Sequence, residues 1–164
     1  MVRQLNEEGR KVGLQRNAKK TKVMRNRFAD NSAVRLDQTT LEDTDEYVYL
    51  GRLTNMGNDL KLETIRRRRA AWAAYNTIKP AVSETKNQRL RTELFNSTVI
   101  PALCYGSETW TLTKAMETQL RNTQASIERD MVGYTLRRQQ CEELHNSDIR
   151  SLSKVTDVLE YANH

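Results

Sequence analysis

Two closely spaced lysines have the side-chain type and spacing best suited to chemistry on a phosphate. They lie in the segment Asn17-x-x-Lys20-Thr21-Lys22, downstream of Gly13, which fits the end of a helix. An ammonium group is a cation that can also donate a proton, so it can stabilise negative charge on phosphate oxygens. Lys20 and Lys22 would share one face of a strand that included both, so the pattern does not choose between them. A bare Lys-Thr-Lys is far more often a solvated surface.

A short aromatic strand closed by a glycine follows after an acidic connector. Its sequence is Tyr47-Val48-Tyr49-Leu50-Gly51, with the two tyrosines on one face and the two aliphatic residues on the other. Glycine lets a backbone approach a ligand closely because it has no side chain to clash. Alone, the last three residues are equally typical of an ordinary strand end.

Four consecutive arginines, Arg66 to Arg69, lie inside a predicted helix. At 100° per residue they sweep most of the helix circumference, so they cannot all face water equally. Arg69 lies at the edge of the predicted apolar stripe, where its stem can pack while its head reaches outward. Such a run is also typical of a nuclear-localisation signal or a nonspecific basic patch.

In this order, the lysine segment and the Tyr-Leu-Gly segment resemble the late palm of reverse transcriptases from non-LTR retrotransposons. The resemblance continues through the arginine-rich helix and the segment from Cys104 to Trp110, and so covers nearly the whole chain. It implies that Lys20 or Lys22 lies beside the incoming nucleotide and stabilises the leaving pyrophosphate. It also implies that the turn Tyr49-Leu50-Gly51 grips the 3′ end of the primer.

The same resemblance makes the arginine-rich helix the first helix of the polymerase thumb, which contacts the backbone of an RNA or DNA template-primer. Lys61, Arg66 and Arg67 are the predicted phosphate contacts. Arg69 is equally suited to pairing with a carboxylate.

The segment Phe28-Ala29-Asp30-Asn31 looks like the aromatic-x-Asp-Asp box that holds catalytic Mg²⁺ in polymerases, but we reject it. An amide at Asn31 brings no charge to balance a divalent ion, and in the family the box precedes the lysine segment. We predict a hairpin turn at Asp30 and Asn31. The resemblance places the catalytic aspartates, the fingers and the rest of the palm upstream of residue 1. The full-length polymerase would use Mg²⁺, whereas we expect no cofactor in this chain and no polymerisation by it alone.

No metal site is predicted. Cys141-x-x-x-His145 could supply half of a zinc site, but only Cys104 and His164 remain as partners, and structural zinc needs four ligands at recognisable spacing. The acidic run from Glu42 to Glu46 is expected to be a solvated loop. Two cysteines cannot form a disulfide framework, which favours a reducing compartment.

The pattern of elements predicts an α+β fold that is mostly helical. Residues 1–57 are expected to form the end of a palm, with a helix over residues 1–13 carrying Leu5 and Val12 on one side. Three short strands should then form a small antiparallel sheet that includes the primer-grip hairpin. We predict them at residues 21–24, 33–36 and 46–50.

Residues 58–164 are expected to form a helical, thumb-like bundle. The first helix should be capped by Asn58 or Asp59 and should stop near Ile78, before Pro80. Its predicted apolar stripe is Leu62, Ile65, Trp72, Tyr75 and Ile78.

Three later elements complete the predicted bundle. A second helix over residues 88–105 should kink or break at Pro101. Thr113 should cap a third helix, and short helices should begin at Asp148 and Asp157. The apolar face of the third helix is predicted to be Met116, Leu120, Ile127 and Met131.

The charge is unevenly distributed over 164 residues with a net charge of +6. Residues 1–29 hold nine Lys or Arg against two acids, residues 64–91 hold eight against one, and residues 30–63 hold eight acids against three bases. Basic blocks of this kind suit a polyanionic partner. The sequence has no apolar run long enough to span a membrane and no signal peptide, so we expect a soluble, intracellular protein without a membrane partner, and basic runs would also suit the nucleus.

Three readings follow for function. The first is a reverse-transcriptase fragment that binds template-primer. The second is a stand-alone basic helical nucleic-acid-binding protein derived from a retroelement. The third is a protein-interaction bundle in which the arginines only form intrahelical pairs.

Overall fold

The computed structural model describes residues 2–162, and the chain divides into two compact units between Asp59 and Leu60. Helices dominate the described residues and the strands are short, so the predicted α+β, mostly helical fold class is confirmed. The assignment of residues 1–57 to a palm and of residues 58–164 to a thumb stays a prediction.

The first unit contains one helix and six short strands. They are α1 (Val2–Lys11), β1 (Lys22–Val23), β2 (Arg35–Leu36), β3 (Thr39–Thr40), β4 (Glu42–Asp43), β5 (Glu46–Tyr49) and β6 (Arg52–Asn55). β1 pairs with β4 in parallel, whereas β2 pairs with β3 and β5 pairs with β6 in antiparallel hairpins.

The predicted single antiparallel sheet of three strands is therefore wrong. The strands form three separate two-stranded sheets, because each strand has only two to four residues and exposes few ladder groups for a third strand. The predicted hairpin turn at Asp30 and Asn31 is also wrong, since β1 does not pair with β2, the next strand in sequence, but with β4. Asp30 instead closes a local turn in which its carboxylate accepts the Ser32 backbone N–H at 3.2 Å.

The core of the first unit is small, with Leu36, Leu41 and Leu53 buried. Helix α1 does not bury the predicted apolar pair, because Leu5 and Val12 are both exposed. Its buried residue is Asn6, whose amide donates to Asp37 at 3.1 Å, and Arg10 pairs with the same carboxylate at 2.8 Å. Polar contacts to the β2–β3 turn therefore hold α1 in place.

The second unit is a helical bundle. Its helices are α2 (Lys61–Glu84), α3 (Gln88–Cys104), α4 (Lys114–Val132), α5 (Leu136–Cys141), α6 (Asn146–Ser153) and α7 (Val158–Ala162), with a 3₁₀ turn at Ser107–Thr109. α2 packs against α3 and α4, α4 packs against α6, and α7 packs against both α3 and α4. The core between them includes Tyr75, Phe95, Ile100, Leu103, Leu120 and Ile127.

Helix α2 differs from its prediction at both ends. It begins at Lys61 after Leu60, and no side chain caps it, so neither Asn58 nor Asp59 is the cap. It runs through Pro80 to Glu84, because Val82 beyond the proline is buried in the core and its packing offsets the lost backbone hydrogen bond.

The predicted apolar stripe of α2 is also partly wrong. Leu62 and Ile65 are exposed, whereas Ala71 and Tyr75 are buried. The stripe begins later along the helix than predicted because the first turns bury the polar residue Glu63 instead.

Helices α3 and α4 follow their predictions more closely. The Asn87 side chain caps α3 by accepting the Arg89 and Leu90 backbone N–H groups, and α3 continues through Pro101 without the predicted break. Thr113 caps α4 as predicted, and the predicted apolar face of α4 is buried in full. Helix α5 was not predicted.

A buried polar network attaches the C-terminal segment to α4. The fully buried amide of Gln124 donates to the Thr156 carbonyl at 2.6 Å and accepts the Val158 N–H at 2.9 Å. Arg150 bridges the buried Glu128 carboxylate at 2.8 Å and Asp157 at 2.7 Å. Burial raises the pKa of Glu128, although the Arg150 guanidinium opposes that rise.

Candidate nucleic-acid interface

The lysine segment begins with a turn built on Asn17. Its carboxamide oxygen accepts the Lys19 N–H at 3.0 Å and the Lys20 N–H at 3.2 Å, an Asx-type turn that exposes the Lys20 side chain. β1 begins only at Lys22. Lys20 therefore lies in the turn before the strand, so the two lysines are not part of one strand.

The other lysine is held by the acidic run. The Lys22 ammonium pairs with Glu42 across the parallel β1–β4 ladder, and Arg25 pairs with Asp43 at 2.6 Å. The prediction that this acidic run is wholly a solvated loop is therefore wrong, since Glu42 and Asp43 form β4. Charge matching between the two strands compensates for their short ladder.

The Tyr49-Leu50-Gly51 segment forms the tip of the β5–β6 hairpin. Tyr49 pairs with Arg52 across the turn, and the two central residues both have positive φ, 48° at Leu50 and 83° at Gly51. Two positive φ values are the pattern of the type I′ turn that suits a twisted hairpin. Leu50 is 76% exposed, so the tip presents an aliphatic side chain to its surroundings in a conformation that leucine rarely adopts.

The lysine turn and the hairpin lie together in the first unit. The Tyr47 hydroxyl on β5 donates to the Lys20 carbonyl at 3.5 Å, and the Thr44 N–H donates to the Val23 carbonyl at 2.8 Å. Segments that are separated by more than twenty residues in sequence therefore meet on one surface.

In the second unit, the arginine run surrounds a buried carboxylate. Glu63 is fully buried, and its oxygens pair with Arg66 at 3.1 Å and with Arg67 at 2.9 Å. Arg67 is itself only 8% exposed, and its guanidinium lies 5.2 Å from the centre of the Tyr105 ring. Arg67 therefore stabilises the fold of α2 against the segment after α3.

Within residues 61–69 of α2, the exposed cations are Lys61, Arg68 and Arg69. No carboxylate among the described residues lies within ion-pair distance of Arg69. The structure therefore does not provide the carboxylate partner suggested for it. The arginines of the run that pair with a carboxylate are Arg66 and Arg67, both with Glu63. The partner of Arg67 could have been found from sequence, because Glu63 and Arg67 are four residues apart and share a helix face.

A second ionic cluster joins α2 to α4, at a part of α2 that follows the arginine run in sequence. Lys79 pairs with Asp130 at 2.7 Å, and the Tyr75 hydroxyl hydrogen-bonds the same carboxylate. Burial raises the pKa of Tyr75 well above its ordinary value, and the neighbouring carboxylate adds to the rise. Burial opposes ionisation of Asp130, but the hydrogen bonds from Lys79 and Tyr75 outweigh it and lower the pKa of that carboxyl.

Within residues 2–162, no group of three or more His, Cys, Asp or Glu side chains is placed to hold a metal ion. Cys104 is buried and Cys141 is exposed, while His164 lies outside the described residues. Among the helices of the described residues, none combines the length and apolar character that crossing a membrane requires.

One comparison with known proteins bears on origin. A protein of Caenorhabditis elegans, described as transposon-derived and uncharacterized, is 47% identical to this chain over 165 residues. This similarity supports a transposon origin. The match covers 98% of this chain but only 59% of the relative's length. No family model and no solved structure matches the chain.

The chain thus has two candidate surfaces, one in each unit. The first unit joins the Lys20 backbone to β5 of the hairpin through the Tyr47 hydroxyl, and Lys22 pairs with Glu42. The second unit exposes Lys61, Arg68 and Arg69 while burying Arg67. Sequence reasoning missed Arg68 as an individual candidate, although its place in the run was visible.

Proposed function

We propose that this chain is the part of a non-LTR retrotransposon reverse transcriptase that holds an RNA or DNA template-primer. The hairpin tip Tyr49-Leu50-Gly51 contacts the primer terminus, Lys20 or Lys22 lies towards the incoming nucleotide, and α2 contacts the duplex backbone. The similarity to a transposon-derived protein supports the retroelement origin. Polymerisation and its substrates belong, in this proposal, to the whole protein.

The observation that carries the proposal is the junction of the lysine turn and the hairpin. A primer grip and a nucleotide-side lysine must serve neighbouring positions on one primer, so the two segments have to be adjacent. The hydrogen bond from Tyr47 to the Lys20 carbonyl meets that requirement. The Lys20 side chain is itself exposed.

The positive φ of Leu50 also supports a functional hairpin tip. A leucine in the left-handed region is strained by roughly 1–2 kcal/mol, and such strain tends to occur where function needs a particular side chain. Asparagine at this position would fit the turn better. We infer that Leu50 is kept for contact with a ligand.

The exposed cations of α2 give the second unit its role. Arg68 and Arg69 can each donate two hydrogen bonds to a phosphate. Lys61, the first residue of α2, adds a third positive charge. Arg66 is partly exposed while paired with Glu63. Arg67 is buried and pairs with Glu63, so it is the weakest candidate for direct phosphate contact.

Divalent metal enters this proposal only through the whole polymerase. Bound Mg²⁺ would neutralise developing charge during phosphoryl transfer. The residues described in this chain do not fit that ion, because no group of three or more metal-ligating side chains is present among them. Asp30 is engaged with Ser32 in a local turn, and its neighbour is the uncharged Asn31.

Charge reversal on α2 tests the proposal. Each lost hydrogen bond between charged groups weakens binding by roughly 1.5–3 kcal/mol, so the double variant Arg68→Glu, Arg69→Glu should bind an RNA–DNA hybrid at least about tenfold more weakly. The matched control is Arg89→Glu with Arg137→Glu, which makes the same change in net charge at exposed positions of α3 and α5. Fluorescence anisotropy of a labelled hybrid measures both.

Equal losses in the two double variants would reduce the effect to net charge and contradict a specific contact by α2. Unchanged affinity in the α2 variant would favour the protein-interaction bundle instead. Arg67 is left intact, because its substitution would remove one partner of the buried Glu63 and destabilise the second unit.

A further inference from the structure

A groove lies between α2 and α4, and it shares Arg68 with the proposed backbone contacts. It has a volume of about 240 Å³ and runs along one face of each helix. Its lining residues are Thr64, Ile65, Arg68, Trp72, Gln119, Asn122, Thr123 and Ser126. All of them belong to the second unit, and each helix contributes residues three or four positions apart, as a single helix face does.

The polar groups of the groove differ in their availability. The Thr64 and Thr123 hydroxyls each donate to a carbonyl of their own helix at 2.8 Å, and the Ser126 hydroxyl accepts from Arg129. By contrast, the carboxamides of Gln119 and Asn122 are exposed and make no side-chain hydrogen bond to another described residue. Two amides, each with donors and an acceptor, therefore face the groove opening.

One wall of the groove is an aromatic ring held in a fixed orientation. Trp72 is half-buried against the core and meets Tyr75 edge-on, with ring centres 6.0 Å apart and planes at 81°. Tyr75 is in turn buried and hydrogen-bonded to Asp130. The indole is therefore preorganised as a stacking surface.

We propose that this groove binds one unpaired base of a nucleic-acid strand. The base stacks on Trp72, the Asn122 and Gln119 amides hydrogen-bond its edge, and Arg68 binds the adjacent phosphate. This inference rests on the proposed function, because it assumes that the chain binds nucleic acid.

The lining favours a base over a phosphate alone or a peptide. A phosphate site needs several cations and available donors, whereas this groove has a single arginine and its Thr64 and Thr123 hydroxyls already donate within their own helices. An aromatic ring with amides and one cation is the combination that recognises an unpaired base. The volume is below the roughly 300–1,000 Å³ of pockets for drug-sized ligands, so it suits one flat ring.

A paired base cannot enter, because its faces are stacked and its edge is occupied. The groove would therefore take a base from a single-stranded stretch, such as template beyond the duplex or an RNA loop. A blunt hybrid would engage only the exposed cations of α2.

The test compares two ligands with the full chain: a blunt RNA–DNA hybrid and the same hybrid with a single-stranded RNA overhang. The overhang should improve affinity by about 5- to 150-fold, the range that stacking of one base contributes. It should also quench Trp72 emission. Trp72→Leu should remove that advantage while blunt-hybrid affinity stays within about twofold, and Trp72→Phe should keep most of it.

Asn122→Ala tests the amide contact on an exposed side chain that the fold does not need. It should reduce the overhang advantage severalfold, whereas the matched control Asn76→Ala, an exposed asparagine of α2 outside the groove, should not. Circular dichroism confirms that each variant is folded.

Two results would overturn the base site while leaving the proposed function intact: equal affinity for blunt and overhanging hybrids, or an overhang advantage that survives both Trp72→Leu and Asn122→Ala. In either case the groove would belong to another occupant, such as a protein segment. Failure of both ligands to bind the unmodified chain would refute the proposed function and, with it, this inference.

Discussion

Replacing Leu50 by asparagine should stabilise the β5–β6 hairpin. The Leu50 φ of 48° lies in the left-handed region, where an ordinary L-residue is disfavoured by roughly 1–2 kcal/mol. Asparagine is enriched in this region, and Asn-Gly is the preferred pair for a hairpin with two positive φ values. The leucine side chain is 76% exposed, so its removal loses little burial.

The expected gain is about 1 kcal/mol in the free energy of hairpin opening, which slows exchange of its cross-strand amides about fivefold. Hydrogen exchange followed by NMR reports this directly at the ladder between β5 and β6. The matched control is Gly51→Ala, which places a Cβ at a φ of 83° and should speed exchange of the same amides. Global unfolding of the second unit should change in neither variant.

Binding should respond in the opposite direction. If the Leu50 side chain contacts the primer terminus, Leu50→Asn weakens binding of a template-primer while strengthening the hairpin. Exchange that is unchanged or faster in Leu50→Asn would refute the strain argument. A more stable hairpin with undiminished affinity would refute the role of Leu50 as a ligand contact and leave the strain argument standing.

Three further predictions concern the second unit. Arg67→Met should lower the free energy of unfolding by about 3 kcal/mol, because it strips one partner from the buried Glu63, and adding Glu63→Gln should recover much of the loss in a urea titration. The pKa of Asp130 is lower in the folded protein than its ordinary value, so the ionised carboxylate contributes to stability in full above that ordinary value. This contribution is lost as the pH falls through the folded pKa. Lys79→Met should therefore flatten the dependence of Tm on pH in acid. Burial raises the pKa of Cys104 to about 12, so a thiol reagent should modify a single cysteine in the native protein and both after denaturation; fast reaction of two would contradict this.

Local pattern was sufficient where packing and periodicity agreed. Helix α4 was predictable because its cap at Thr113 and a long stripe from Met116 to Met131 specify the same helix independently. The helical class of the second unit follows from apolar residues at this helical spacing.

Pattern failed where distant packing decided the outcome. A proline is a sound reason to end a helix, but α2 continues through Pro80 because Val82 has a place in a core formed by other helices. The β1–β4 pairing joins strands of two residues, which are too short to show any periodicity. Its charge matching becomes visible only once the partner strand is known.

For the candidate sites, residue types were predictable and their exposure was not. The run of four arginines marks α2 as basic, but the burial of Arg67 depends on Glu63 and Tyr105, the latter more than thirty residues away in sequence. The groove lined by Trp72 and Asn122 combines two helices and has no signature within either.

The two hydrogen bonds between Gln124 and the C-terminal segment provide a test, from gene sequences, of whether selection maintains the fold of this protein. The Gln124 amide donates to Thr156 and accepts from Val158, and no other side chain of that length supplies both groups. In genomic copies that drift without selection, the codon for Gln124 should change as often as any other. Copies that must still fold should keep glutamine there while exposed positions such as Asn76 vary, so the ratio of substitutions at these two codons distinguishes relics from genes under selection.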